Sequence, residues 1–114
     1  MKKTLLFLDD YRDPFDKDID WMVFSPIGRD VNIEWVKTQI EFQDWIMIND
    51  LPDGICFDHD LGTHNGNGYE CAKWLCRYCD TYEKKIPLYS VQSANTVGKQ
   101  NIISYLENYK KHTE

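Results

Sequence analysis

Two short apolar runs that each empty into acids constrain this chain more than any other feature. Thr4-Leu5-Leu6-Phe7-Leu8 runs into Asp9-Asp10, and Gly54-Ile55-Cys56-Phe57 runs into Asp58-His59-Asp60-Leu61-Gly62. Continuous apolar runs of this length, bounded by polar residues, read as strands buried on both faces of a parallel sheet. Two strands that end in carboxylates point to one acidic site. Carboxylates held close repel one another unless a cation neutralises them. Asp9, Asp10 and Asp58 are therefore the expected ligands of a hard, oxygen-seeking ion, Mg²⁺ or Mn²⁺. A lone Asp there would be read as the cap of the following turn.

The rest of the chain supplies what such a sheet needs. Ile33-Glu34-Trp35-Val36-Lys37 alternates and is rich in β-formers, so it predicts a strand at a sheet edge. Thr38 and Glu41 form a capping box, and Phe42, Trp45, Ile46 and Asn49 recur at helical spacing until Pro52-Asp53-Gly54 turns the chain. Asn67 caps a second helix, with Glu70 in its first turn and Tyr69, Ala72, Leu75, Cys76 and Cys79 as its apolar stripe. Pro87–Val91 reads as a strand that tolerates Pro at its first residue. After the turn Ser93–Thr96, the residues Val97, Ile102, Ile103, Leu106 and Tyr109 line a last helix. Residues 11–31 carry no periodic signal: Asp13-Pro14 is a turn, Pro26 and Gly28 break the segment, and Trp21–Phe24 fits either a helical turn or an extended piece packed on the core.

Strands alternating with helices predict an α/β fold with a parallel sheet and right-handed crossovers. With four strands it is a small doubly wound sheet in the order 2-1-3-4, flavodoxin-like but lacking the fifth strand, as one domain over residues 1–114. Ligands of such sheets bind at the carboxyl ends of the strands, by the switch point between the first and third. Both acidic pairs emerge there.

Composition narrows the partners. At 114 residues with 42% hydrophobic and 14% aromatic content, the chain can bury an ordinary core and is not of the disordered class. A net charge of −6 disfavours binding to a phosphate backbone, so duplex DNA is not an expected partner. No apolar run approaches the roughly 20 residues that span a bilayer. Met1-Lys2-Lys3 precedes only Leu5–Leu8 before Asp9, too short for a secretory signal, and a cytoplasmic location is expected. Cys56, Cys71, Cys76 and Cys79 read as reduced, mostly buried thiols. Cys76 and Cys79 have the spacing of half a zinc site, but no second pair matches them.

The acidic pair after the first strand, the Asp after the third and a hydroxyl after the fourth (Ser93, or else Ser90) resemble the receiver domain of response regulators. In receivers the pair holds Mg²⁺ and the third-strand Asp, here Asp58, takes a phosphoryl group. The fifth strand and its Lys are missing here, which sets the chain apart from ordinary phosphorelay. It is more similar to the receiver-like family described as cyclic-phosphate-processing. Leu8-Asp9-Asp10-Tyr11-Arg12-Asp13-Pro14 matches that family's opening Leu-Asp-Asp-x-Arg-x-Pro pattern, and Asp58 through Gly62 matches its Asp-His-Asp-Leu-Gly motif, followed by Gly68-Tyr69. Gln92-Ser93-Ala94-Asn95-Thr96-Val97-Gly98 matches its late His-Ser-x-Asn-x-x-Gly motif, except that Gln92 stands where the family has His.

The resemblance implies metal-dependent phosphoesterase-like processing of a cyclic or phosphorylated nucleotide, or of an RNA end. Asp9, Asp10 and Asp58 would hold the metal, which would neutralise charge developing on a phosphoryl oxygen. Asp58 would otherwise act as nucleophile. Asp60 is a general base, a ligand or an orienting group. His59, between two acids, suits proton transfer near neutral pH; strand alternation points it away from Asp58 and Asp60, which suits a structural histidine bonded to a neighbouring carboxylate. His64 is either an exposed loop residue or a stand-in for the His missing at position 92. Ser93 and Asn95 sit in a strand-to-helix turn whose N–H groups can hold an anion, and Arg12 either binds phosphate or pairs with a nearby acid. Gly62, Gly66 and Gly68 suggest a loop able to close over a ligand. The alternative, which Gln92 favours, is a non-catalytic receiver-like module that binds a nucleotide or a partner protein.

Overall fold

The computed structural model describes residues 2–113. β1 (Lys3–Leu8), β2 (Val31–Val36), β3 (Gly54–Phe57) and β4 (Leu88–Val91) form one sheet in the order β2-β1-β3-β4. Every pairing is parallel, with Leu5 opposite both Ile33 and Gly54, and Phe57 opposite Val91. The helices are α1 (Gln39–Asn49), α2 (Gly68–Tyr82) and α3 (Thr96–Thr113). This is the receiver-like, flavodoxin-like order that the alternation of elements predicts.

Local chemistry sets the helix starts. Thr38 Oγ1 accepts from the Glu41 N–H at 3.0 Å, while the Glu41 carboxylate reaches back to the Lys37 N–H at 3.0 Å. Asn67 Oδ1 accepts from the Glu70 N–H at 2.9 Å and opens α2. Each such cap is worth about 1 kcal/mol. α2 ends at Glu83, which adopts the left-handed conformation (φ 55°) and donates its N–H to the Cys79 carbonyl.

The two faces of the sheet are covered differently. Leu6, Leu8, Ile55, Phe57 and Val91 pack against all three helices, through Phe42, Ile46, Leu75, Ile102 and Leu106 among others. On the other face Leu5, Phe7, Val31 and Cys56 meet Trp21, Met22 and Ile27. The aperiodic segment therefore roofs the second face, and Trp21–Phe24 in it is a turn of 3-10 helix with Asp20 as its cap. Complete burial of a Leu or Phe contributes about 1.5–3 kcal/mol, so the fully buried Leu5, Leu6, Phe7, Leu8 and Phe57 fix the ends of β1 and β3 firmly.

Two details depart from the sequence reading. Val97 is 70% exposed, because Gly98 takes the inward position of the first turn of α3. The glycine-rich loop is packed rather than loose: Asn65 Nδ2 donates to the Leu61 carbonyl at 2.9 Å, and the Asn65 carbonyl accepts from Gln39 N–H at 2.9 Å. All four cysteines are free and buried, and burial pushes the Cys56 thiol up to about 11 and Cys76 up to about 12. Among the described residues no helix is long and apolar enough to cross a membrane.

Candidate functional site

β1 and β3 are hydrogen-bonded neighbours, with Phe7 opposite Cys56, so Asp9 and Asp58 leave the sheet side by side. Leu8 and Phe57 pack into the helical face, which turns the next side chain of each strand to the roofed face. One carboxylate oxygen from each of Asp9, Asp10 and Asp58 lies within 4.8 Å of the other two. Asp9 is fully buried, Asp58 nearly so, and Asp10 faces solvent.

Asp9 is held from several sides. Its Oδ1 accepts from the N–H groups of Tyr11 (2.9 Å) and Arg12 (2.8 Å), and its carbonyl accepts from the Trp35 indole at 2.8 Å. It therefore caps the turn and faces the cluster at once. Arg12 Nη1 stands 3.2 Å from Asp9 Oδ2 and 3.7 Å from Asp58 Oδ1, and the guanidinium lies 5.1 Å from the centre of the Trp21 ring. Nothing local in the sequence points to Trp21, whose contact is made across the roof. Burial, and then the Asp9 charge, push the Asp58 carboxyl up to about 7 against the pull of Arg12. One guanidinium thus falls short of balancing three carboxylates. Three hard oxygen donors with that deficit of positive charge fit a divalent ion such as Mg²⁺.

A second group stands beside the first. His59 Nδ1 is 2.7 Å from Asp60 Oδ1, and Asn95 Nδ2 is 3.4 Å from both. A Cβ added at Gly98 would lie 2.4 Å from His59 Cγ, so only glycine lets the ring pack there. Asn95 also caps α3, its Oδ1 accepting from the Gly98 N–H at 2.8 Å, while Ser93 Oγ accepts from the Asn95 N–H at 3.1 Å. Asp60 thus faces His59 and Asn95 and stands outside the group of three acids. His64 is exposed at φ 68° in the loop, and among the described residues it makes no hydrogen bond to the site. The structure brings together Asp9, Asp10, Asp58 and Arg12 in one group and His59, Asp60 and Asn95 in the next, with Ser93 on the same turn. It leaves His64 apart.

Two further residues shape the site. Gly68 N–H donates to the His59 carbonyl at 2.8 Å, and a Cβ there would fall 2.0 Å from the Asp58 carbonyl oxygen. Gln92 follows β4 and is 3% exposed. A cavity of about 870 Å³, lined by Cys79, Lys84, Lys85 and Tyr109, lies at the other end of the sheet and shares no residue with the acidic cluster.

The cyclic-phosphate processing receiver domain profile matches residues 4–108. No curated protein matches the chain. Among solved structures, the phosphorylated cyanobacterial phytochrome response regulator RcpA aligns with a TM-score of 0.52 at 14% identity, over 96% of this chain and 93% of its own. NtrX from Brucella abortus aligns with a TM-score of 0.52 at 14% identity, over 98% of this chain and 28% of its own. A fusion carrying a yeast trimeric coiled-coil segment reaches a TM-score of 0.60 at 16% identity, over 96% of this chain and 64% of its own. The chain thus spans less than two thirds of that fusion and of NtrX. At these identities the likeness establishes the fold alone.

Proposed function

The chain belongs to the cyclic-phosphate processing receiver domain family, and on that premise we propose that it is a metal-dependent phosphoesterase acting on a cyclic or phosphorylated nucleotide, or on an RNA end. The observation that carries this reading is the approach of Asp9, Asp10 and Asp58 within 4.8 Å at the ends of β1 and β3. An ion held by these carboxylates supplies Lewis-acid polarisation of a phosphoryl oxygen and a balance for its charge. Arg12, on the same cluster, pairs with a second phosphoryl oxygen, and the turn at Ser93–Asn95 opens the first N–H groups of α3 to the anion. Asp60 accepts from His59 Nδ1–H and so leaves Nε2 as the face that gives or takes a proton. Packing on Gly98 holds the ring in that orientation. The partner is a small phosphorylated or cyclic nucleotide or an RNA end, and the setting is cytoplasmic.

The test is product release from a panel of cyclic and linear nucleotides with Mg²⁺ or Mn²⁺, for wild type and Asp58→Asn. Turnover that needs the metal and falls at least about 100-fold in the variant is the expected result. No turnover of any member, with a nucleotide still raising the melting temperature, would favour the second reading. That reading, a non-catalytic module binding a nucleotide or partner protein, draws on Gln92, which cannot titrate where the family's motif has a His.

A further inference from the structure

Gln92 is buried to 3% exposure, and both Nε2 and Oε1 lack any hydrogen-bond partner among the described residues. A buried amide left bare at both ends is costly, and folded proteins rarely keep one without a use for it. Its place in the sheet says where it points. Phe57 pairs with Val91, and the Gln92 N–H continues the ladder to the Phe57 carbonyl at 2.8 Å. Val91 packs into the helical face, so Gln92 turns to the roofed face, as Ser90 does two residues earlier. Ser90 there touches Cys56 across the strand pair (Oγ to Sγ, 3.5 Å). One step further along, the neighbour of Gln92 is Asp58, at the ordinary strand spacing of about 4.8 Å. The bare amide therefore stands beside the acidic cluster, on the same face of the sheet.

Resting on the phosphoesterase reading, we propose that Gln92 is a substrate-reading residue of this site: Nε2–H donates to a phosphoryl oxygen of the bound ligand, and Oε1 accepts from a hydroxyl or water hydrogen beside it. Asp9, Asp10 and Asp58 offer only acceptors to a ligand when ionised, so an anion needs donors from elsewhere. Arg12 supplies them on one side and Gln92 on the other. A neutral amide does this without adding charge or a titrating proton, and it holds donor and acceptor in one plane. Gln92 thus substitutes binding for whatever the motif's His does, and leaves proton transfer to His59.

The decisive comparison uses wild type and Gln92→Leu, an apolar replacement of similar size, with inorganic phosphate and with 2′,3′-cyclic AMP, each in the presence of Mg²⁺. Affinity for both ligands is expected to fall about 10- to 100-fold, the loss that goes with a hydrogen bond to a charged group. The ligand-free variant is expected to melt at the same temperature as wild type or higher, because the substitution removes an unsatisfied amide. The side-chain amide resonances of Gln92 in wild type, assigned by their loss in Gln92→Glu, should shift in step with phosphate binding. Unchanged affinity in the Leu variant, resonances that stay put at saturation, or no phosphate binding by wild type would each overturn the proposal. A ligand-free Leu variant that melts lower would do so too, since the amide would then be serving the fold. The two readings fail separately. Gln92-dependent phosphate binding without turnover of any nucleotide sinks the phosphoesterase and leaves this assignment. Turnover with Gln92-independent binding does the reverse.

Discussion

Gly68 opens α2 where the helix passes the end of β3, and replacing it with Ala should damage fold and site together. The added Cβ would sit 2.0 Å from the Asp58 carbonyl oxygen and 3.1 Å from the His59 Cα. Both are main chain, so no rotamer change relieves the contact. Ordinary contact needs about 3.5 Å, so β3 and α2 must part by about 1.5 Å. That movement also pulls on the 2.8 Å bond from the Gly68 N–H to the His59 carbonyl. Overpacking of this kind costs about 1–3 kcal/mol, against which Ala returns under about 1 kcal/mol by restricting the unfolded chain. The expected net loss is about 1–2 kcal/mol or more, read by urea unfolding with tryptophan fluorescence. Gly28→Ala is the control: its φ is +88° with nothing within 4 Å of the added carbon, so it carries only a backbone penalty of about 1–2 kcal/mol. The two variants part at the site. Gly68→Ala should weaken Mg²⁺ binding and cut turnover about 100-fold through the displaced Asp58, while Gly28→Ala leaves both alone. A Gly68→Ala protein with Mg²⁺ affinity within twofold of wild type would refute the reasoning.

Burial and the Asp9 charge push the Asp58 carboxyl up to about 7 in the fold, from an ordinary value of 3.8, so the native state holds this proton more tightly than the unfolded chain. Its contribution to the stability of the metal-free protein is complete below 3.8 and is lost as the pH rises through about 7. Asp58→Asn should flatten the fall in unfolding free energy between about pH 4 and about pH 7, measured by urea titrations without metal. Because the ligand must lose that proton, Mg²⁺ affinity in wild type should climb up to about tenfold per pH unit below 7 and level off above, as calorimetry would record. In Gly98→Ala the new Cβ would meet the His59 ring at 2.4 Å and tilt it off Asp60. Turnover should fall about 10- to 100-fold with Mg²⁺ affinity unchanged, and equal losses in both would show that His59 belongs to the metal site.

The parts of the fold that could be read early are those whose signals are local. Leu5 to Leu8 and Ile55 to Phe57 declare themselves as buried strands because every position is apolar, and the caps at Thr38 and Asn67 need only a side chain and an N–H three residues on. The acids at the strand ends were legible for the same reason. The roof was not, because what holds it is distant in sequence: the Phe24 carbonyl accepts from Ser90 Oγ and from the Cys56 thiol, and Trp21 leans on Arg12. For His59 the bond to a neighbouring carboxylate was legible, while the direction of the ring was not. Alternation turns it away from Asp60, but the ladder between β3 and β4 stops at the Gln92 N–H to Phe57 carbonyl bond, and beyond Asp58 the chain bends, so the period of two no longer governs which way side chains point. The loop glycines misled in the opposite direction. Freedom seemed the use of Gly62, Gly66 and Gly68, whereas at Gly68 the missing side chain makes room for β3.

A layer made of three helices can spread a disturbance among them, but one strip of chain has nowhere to send it. The strip over Leu5, Phe7 and Cys56 is fastened at Phe24 and at Trp21, and its leading end carries Arg12. Its packing and its grip on an anion are consequently one mechanical object. A change at Trp21, though distant from the acids in sequence, alters where a positive charge stands, while changes on the outer surfaces of α1 and α2 are absorbed where they fall. Selection on this chain should therefore weigh unevenly, with an irregular and seemingly permissive stretch among the least free to drift.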